Sequence, residues 1–167
     1  DAGVRSELQA NVANVLGTDY VTVMDMANAY ATLAANGVRA EPYLVKEVRF
    51  LDENIPTITV EPVTKRVFDE DLVSDVIDCM TQPVEGGTAR YVGQNLGRPA
   101  AGKTGTSESF RSAWFDGYVP QLAAAVGLYR ADEDGSELAM EDLPNAGSIT
   151  GGTYPTRIWT AYMKAAL

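Results

Sequence analysis

The stretch Ala100-Ala101-Gly102-Lys103-Thr104-Gly105-Thr106-Ser107 holds the residues of this chain best suited to chemistry. A run of small residues leads into one lysine, and two threonines follow it, separated by a glycine. On a strand, successive side chains point to opposite faces. Thr104 and Thr106 then share one face, and Lys103 and Gly105 the other. Two hydroxyls in line can bind one anionic group. Gly105 has no side chain, so a ligand can approach the backbone there. The N–H of Thr106 is placed to serve as an oxyanion donor. The stretch reads as a polar ligand edge built on a strand.

Two motifs compete for it. Gly97-Arg98-Pro99-Ala100-Ala101-Gly102-Lys103-Thr104 fits the nucleotide-binding P-loop pattern G-x-x-x-x-G-K-[ST]. That pattern has physical meaning only between a strand and a helix, whose N-terminus faces phosphate. Thr104 to Ser107 is Thr/Gly-rich and does not read as a helix, and Tyr91 to Pro99 is a poor buried strand. The other reading is the K-T-G element of penicillin-binding proteins and serine β-lactamases. Trp114-Phe115-x-Gly117-Tyr118-x-Pro120 follows at the spacing of the next strand in the penicillin-binding transpeptidases, which this part of the chain resembles. Val21 to Val38 resembles the helix ahead of the K-T-G strand in that family, and Val84 to Ala89 resembles the turn before it. Gly151-Gly152-Thr153-Tyr154-Pro155 with Ile158-Trp159 and Tyr162-Met163 resembles the bifunctional, class A-like branch.

Composition limits the alternatives. The net charge is −10, which argues against nucleic-acid binding through a basic surface. There is no histidine, so Ser-His-Asp and Cys-His catalysis and histidine-ligated zinc are excluded within the chain. Cys79, the lone cysteine, cannot form an internal disulfide and reads as a small core residue among Val76, Ile77 and Met80. No metal site and no cofactor are expected. No apolar run approaches the ~20 residues of a membrane span. The chain opens on Asp1 without a signal peptide and reads as a processed or excised piece.

The elements that position the stretch follow from periodicity. Val4, Leu8, Val12 and Leu16 suggest a mildly amphipathic helix over 1–16. Thr22 to Ala35 is the best helix: Thr22 caps it, Asp25 is a capping-box-like partner, and Asn36-Gly37 ends it. Val23, Met26, Ala27, Tyr30, Leu33 and Ala34 form its apolar face. Tyr43 to Phe50 and Ile58 to Val67 read as a small hairpin, pushed to an edge by Pro42, Pro56 and Pro62. Asp69 to Met80 reads as a capped helix with Leu72, Val73, Val76, Ile77 and Met80 buried, and Pro83 to Gly97 as a glycine-rich loop. Residues 99–107, 112–119 and 121–130 read as three consecutive antiparallel strands. An exposed turn follows at Ala131 to Gly135. Pro155 opens a last helix with Ile158, Trp159, Tyr162, Met163 and Ala166 on one face.

The resemblance implies an α+β fold: an antiparallel sheet flanked by helices, serine β-lactamase/transpeptidase-like and incomplete in this chain. It implies a peptidoglycan D,D-transpeptidase, in which an active-site serine takes the acyl group of a D-alanyl-D-alanine stem peptide and β-lactams acylate the same serine. By resemblance, Lys103 holds the substrate carboxylate electrostatically and relays a proton. Thr104 and Thr106 donate to that carboxylate, Gly105 gives backbone access, and the Thr106 N–H completes the oxyanion hole. Such proteins act at the extracytoplasmic face of a bacterial membrane, to which another segment anchors them. Two further motifs of the family, S-x-x-K and S-x-N, are missing. No lysine here has a serine three positions before it, and no serine is followed by asparagine at the second position. Residues 1–167 therefore read as the C-terminal part of one transpeptidase domain, inert alone, whose upstream half is its partner. The rival from another class is a non-catalytic binding or structural module.

Overall fold

Thr22 opens the first helix as its sequence suggests. In the computed structural model, which describes residues 2–167, Thr22 is extended and its Oγ1 accepts the Asp25 N–H at 3.0 Å. Helix α1 spans Val23–Ala34. Only half of the capping box forms. The Asp25 carboxylate turns away from the cap and accepts from the Ser6 N–H at 3.1 Å and the Ser6 hydroxyl at 2.6 Å, tying the N-terminal segment to the helix. At the other end Gly37 is left-handed (φ +85°) and donates to Thr32 O at 2.8 Å. A Cβ at Gly37 would also lie 2.4 Å from Phe68 O, so the position requires glycine twice over. The helix expected over 1–16 is absent among the described residues. Only a 3₁₀ turn forms, Val12–Leu16, with its valines and leucine exposed, because no surface covers the apolar stripe that would stabilise a short helix.

The hairpin is also drawn differently. Strands β1 (Val38–Ala40), β2 (Glu47–Val48), β3 (Ile58–Thr59) and β4 (Thr64–Arg66) form two small ribbons. β1 pairs antiparallel with β4, and β2 with β3. Pro62, which has no N–H to donate, stands between β3 and β4 and divides what reads as one strand.

Helix α2 (Glu70–Glu85) runs through Pro83, and α3 (Arg90–Asn95) stands where a loop is expected. Tertiary burial overrides the local breakers here. Val84, Ala89, Val92 and Leu96 all enter the core. Pro83 lies in the last turn, and its carbonyl accepts the Ala89 N–H at 2.9 Å. The glycines permit close packing rather than looseness: a Cβ on Gly87 would lie 2.8 Å from Pro83 Cα, and one on Gly93 2.5 Å from Val84 O. Along α2, Val73 is buried, but Leu72 and Cys79 are exposed. The stripe is narrower than its apolar residues imply, and Cys79 is not a core thiol.

Strands β5 (Ala101–Thr106), β6 (Ser112–Val119), β7 (Leu122–Ala131) and β8 (Glu137–Leu138) form one sheet in that order, every pair antiparallel. The first three are the strands expected; β8 is a short addition after the turn. Helix α4 (Tyr154–Ala166) carries Pro155 in its first turn, where the missing N–H costs nothing.

The sheet separates two apolar clusters. On one face Tyr30 of α1 packs with Ala101 and Tyr118, backed by Met26, Leu33, Ile77 and Met80. On the other, Phe115 and Val119 meet Trp159 and Met163 of α4 and the buried residues of α2 and α3. Phe115 and Trp159 are both 0% exposed and meet edge to face, centroids 5.2 Å apart. The Trp159 indole N–H donates to Ala124 O at 3.0 Å. The buried face of α4 is Pro155, Thr156, Trp159, Thr160 and Met163, whereas Ile158 and Tyr162 are 45% and 54% exposed. The threonines win because their hydroxyls are satisfied locally: Thr156 donates to Gly152 O at 3.0 Å and Thr160 to Thr156 O at 2.6 Å.

Candidate functional site

β5 lies at the edge of the sheet, with β6 on one side only. Its pleat separates the sequence-predicted residues as alternation requires. Lys103 pairs with Asp116, Thr104 with Phe115, Gly105 with Trp114 and Thr106 with Ala113. Thr104 and Thr106 share the face toward α4, and Lys103 shares the face toward α2. Lys103 lines an apolar groove of about 380 Å³ with Asp75, Val76, Cys79, Met80 and Pro83. Its ammonium donates to its neighbour's carbonyl, Thr104 O, at 2.9 Å.

The hydroxyl face is more tightly built. Thr88, on the turn between α2 and α3, places its Oγ1 2.6 Å from Thr104 Oγ1. Gly151, just before α4, donates its N–H to Thr106 Oγ1 at 3.0 Å. Gly151 fits only as glycine: a Cβ there would lie 2.4 Å from Trp114 O and 2.6 Å from Gly105 O. Gly152 likewise sits under the Thr88 carbonyl, 2.5 Å from where its Cβ would be. Gly105 has only Trp114 Cβ near its own missing Cβ, at 3.4 Å, so its backbone is open on the Lys103 face, while Gly151 covers it on the other.

This placement excludes the P-loop. Lys103 and Thr104 are inside a strand that continues to Thr106, and only a three-residue turn, Glu108–Phe110, with Ser109 and Phe110 in the left-handed region, follows. Among the described residues, no helix begins at Lys103 or Thr104. The penicillin binding protein transpeptidase domain model matches residues 2–150. The chain belongs to the penicillin-binding protein transpeptidase family.

Penicillin-binding protein 1A of Mycolicibacterium smegmatis is 36% identical over 163 residues, which cover 92% of this chain and 20% of that protein. The chain thus spans about a fifth of the length of the curated relatives it matches. PonA1 of Mycobacterium tuberculosis, solved in complex with penicillin V, superposes with a TM-score of 0.72 at 27% identity, covering 99% of this chain and 47% of that one. Penicillin-binding protein 1A of Haemophilus influenzae shares the fold at a TM-score of 0.80 and 22% identity, over 99% of this chain and 29% of that one. The fold is the α+β, transpeptidase/β-lactamase-like one.

Within this transpeptidase fold, Trp114 and Phe115 pack the sheet. The Trp114 ring covers Gly127, whose missing Cβ would lie 2.8 Å from it. Asp116, between Phe115 and Gly117, is the unexpected residue. It is 4% exposed, beside Tyr30 and Tyr118. Neither Asp116 Oδ1 nor the Tyr118 hydroxyl has a hydrogen-bond partner among the described residues. Burial pushes the Asp116 carboxyl up to about 7 and the Tyr118 phenol up to about 12. Tyr30 is raised as well, chiefly by burial and then by the Asp116 carboxylate. Sequence reasoning passed over Asp116, Thr88 and Gly151. The signal for Asp116 was an acid inside an otherwise apolar strand. Thr88 and Gly151 fall in stretches that resemble the family, but nothing local pointed to their contacts with β5, which join segments far apart in the chain.

Proposed function

We propose that this chain supplies the K-T-G substrate-binding strand of a peptidoglycan D,D-transpeptidase that works through an acyl-serine intermediate and is a target of penicillins. The observation that carries the reading is the pair of threonine hydroxyls in line on one face of an edge strand. A carboxylate at this edge accepts from Thr104 and Thr106, which fixes the D-alanine end of a stem peptide, or the penicillin that mimics it, along β5. Lys103 adds a positive charge and reaches the ligand by rotation about its own side chain. The Thr106 N–H donates to the carbonyl oxygen as it becomes an oxyanion, a contact worth roughly 3–4 kcal/mol in other hydrolases.

The nucleophile is not in this chain. S-x-x-K and S-x-N belong to the upstream part of the same domain, so residues 1–167 are inert alone and act only as half of a composite site. Exposed Val23 and Met24 on α1, Leu72 on α2, and the apolar groove beside Lys103 are the surfaces suited to receive that half. The parent acts on the extracytoplasmic side of a bacterial membrane, to which a segment outside this chain anchors it. No helix among the described residues is long and apolar enough to cross one.

The test is fluorescent-penicillin labelling of the complete domain. Thr104→Val nearly preserves shape and deletes one hydroxyl. A hydrogen bond to a charged group is worth about 1.5–3 kcal/mol, so acylation slows by at least tenfold while melting is unchanged. Equal acylation of variant and wild type removes the carboxylate role. Covalent label on residues 1–167 alone removes the composite site.

A further inference from the structure

The 2.6 Å separation between Thr88 Oγ1 and Thr104 Oγ1 leaves room for one proton between the two oxygens. If Thr104 is the donor, its only hydroxyl proton is spent inside the protein. If Thr88 is the donor, the Thr104 oxygen is occupied as an acceptor and its own proton is free to point outward. Thr106 shows the second arrangement without ambiguity. Gly151 N–H can only donate, and it donates to Thr106 Oγ1 at 3.0 Å, so it cannot consume the Thr106 proton. We infer that Thr88 is a positioning residue: it donates to Thr104 from behind and presets the Thr104 hydroxyl as a donor to a ligand carboxylate. This rests on the carboxylate-binding reading of β5 proposed above.

Three features support it. The turn that carries Thr88 is fixed from both sides. Gly87 packs against Pro83 Cα, the adjacent Ala89 is fully buried, and Gly152 lies directly under the Thr88 carbonyl. The two threonines of β5 then receive equivalent treatment from unrelated parts of the chain, a side-chain donor for Thr104 and a backbone donor for Thr106. A hydroxyl that already accepts a hydrogen bond is also polarised into a better donor. The chain Thr88 O–H to Thr104 O–H to carboxylate is a cooperative relay of hydrogen bonds in which no covalent bond changes.

The experiment uses the complete transpeptidase domain with its serine. Acylation by a penicillin and by the methyl ester of the same penicillin is followed for wild type, Thr88→Val, Thr88→Ala, Thr88→Ser, Thr104→Val and the Thr88→Val/Thr104→Val double variant. Thr88→Val and Thr88→Ala are expected to slow acylation by the free acid about tenfold, the loss of roughly one hydrogen bond to a charge-bearing network. They change acylation by the uncharged ester less than twofold, and Thr88→Ser restores the acid rate. The double variant is no slower than Thr104→Val alone, since both act through one proton. Equal slowing for acid and ester, additive losses in the double variant, or an unchanged acid rate in both Thr88→Val and Thr88→Ala overturns the inference. If Thr104→Val slows the acid and Thr88 variants do not, only the positioning role fails. If Thr104→Val has no effect either, the carboxylate reading fails with it.

Discussion

Asp116→Asn separates the charge of a buried carboxylate from its shape. The side chain is 4% exposed, its Oδ1 has no partner among the described residues, and burial moves its pKa from 3.8 to about 7. The folded domain therefore holds this proton more tightly than the unfolded chain does. Below pH ~4 both states are protonated and there is no penalty. Between pH ~4 and ~7 the unfolded chain releases the proton first, and stability falls by about 1.4 kcal/mol per pH unit. Above pH ~7 the penalty is constant. The shift is about three units, so the whole window costs about 4 kcal/mol. Asparagine keeps the shape and does not titrate. Urea unfolding of the complete domain should find variant and wild type nearly equal at pH 4. By pH 8 the variant should be ahead by about 4 kcal/mol, most of the gap opening between pH 5 and 7. Tyr30 and Tyr118, which face Asp116, titrate far above that window, and Ala125 across β7 carries no charge. Lys103 pairs with Asp116 across β5 and is unchanged by the substitution, as are Asp75 and Cys79 of the α2 groove. A stability difference that stays constant from pH 4 to pH 8 would refute the reasoning, because it would mean that the carboxylate finds a partner or water in the folded state.

Trp159→Phe removes the donor to Ala124 O and leaves a void beside Phe115; a loss of about 2–4 kcal/mol is expected in urea unfolding, and one below about 1 kcal/mol would show that the indole is replaceable. Ser6→Ala tests the tie between the N-terminal segment and α1. Asp25 is held down to about 2, first by the Ser6 hydroxyl, so its contribution is present above pH ~4 and lost as pH falls toward 2. The variant should unfold at a higher pH than wild type in an acid titration followed by circular dichroism. An unmoved acid midpoint would mean that the other donors to Asp25 suffice.

The parts of the fold legible in the sequence are those in which local signals and burial agree. Thr22 and Asn36-Gly37 bound α1 where capping chemistry places them, and the alternation of β5 to β7 survives because their short connections leave only antiparallel pairing. The parts misread are those in which burial overrules local signals. Pro83 and the glycines of 86–97 look like a loop, yet Val84, Ala89, Val92 and Leu96 bury enough apolar surface to hold two helices there. Ile158 and Tyr162 look buried, yet threonines that satisfy their own hydroxyls take the core face of α4. The reverse holds at the N-terminus, where an amphipathic pattern finds no surface to cover it.

The same division runs through the site. Sequence by itself determined the strand, the order of Lys103, Thr104, Gly105 and Thr106 along it, and the faces to which they point, because a pleat of period two leaves no other choice. It also determined that the chain has no histidine and neither an S-x-x-K nor an S-x-N motif. Only the tertiary structure decided what stands behind each hydroxyl. Thr88 reaches Thr104 across 16 residues of sequence, and Gly151 reaches Thr106 across 45. Such contacts depend on how α2, α3 and α4 dock on the sheet, and docking is set by the summed burial of many side chains rather than by any local pattern. What each threonine hydroxyl of β5 meets is decided by a partner that its own stretch of sequence does not contain.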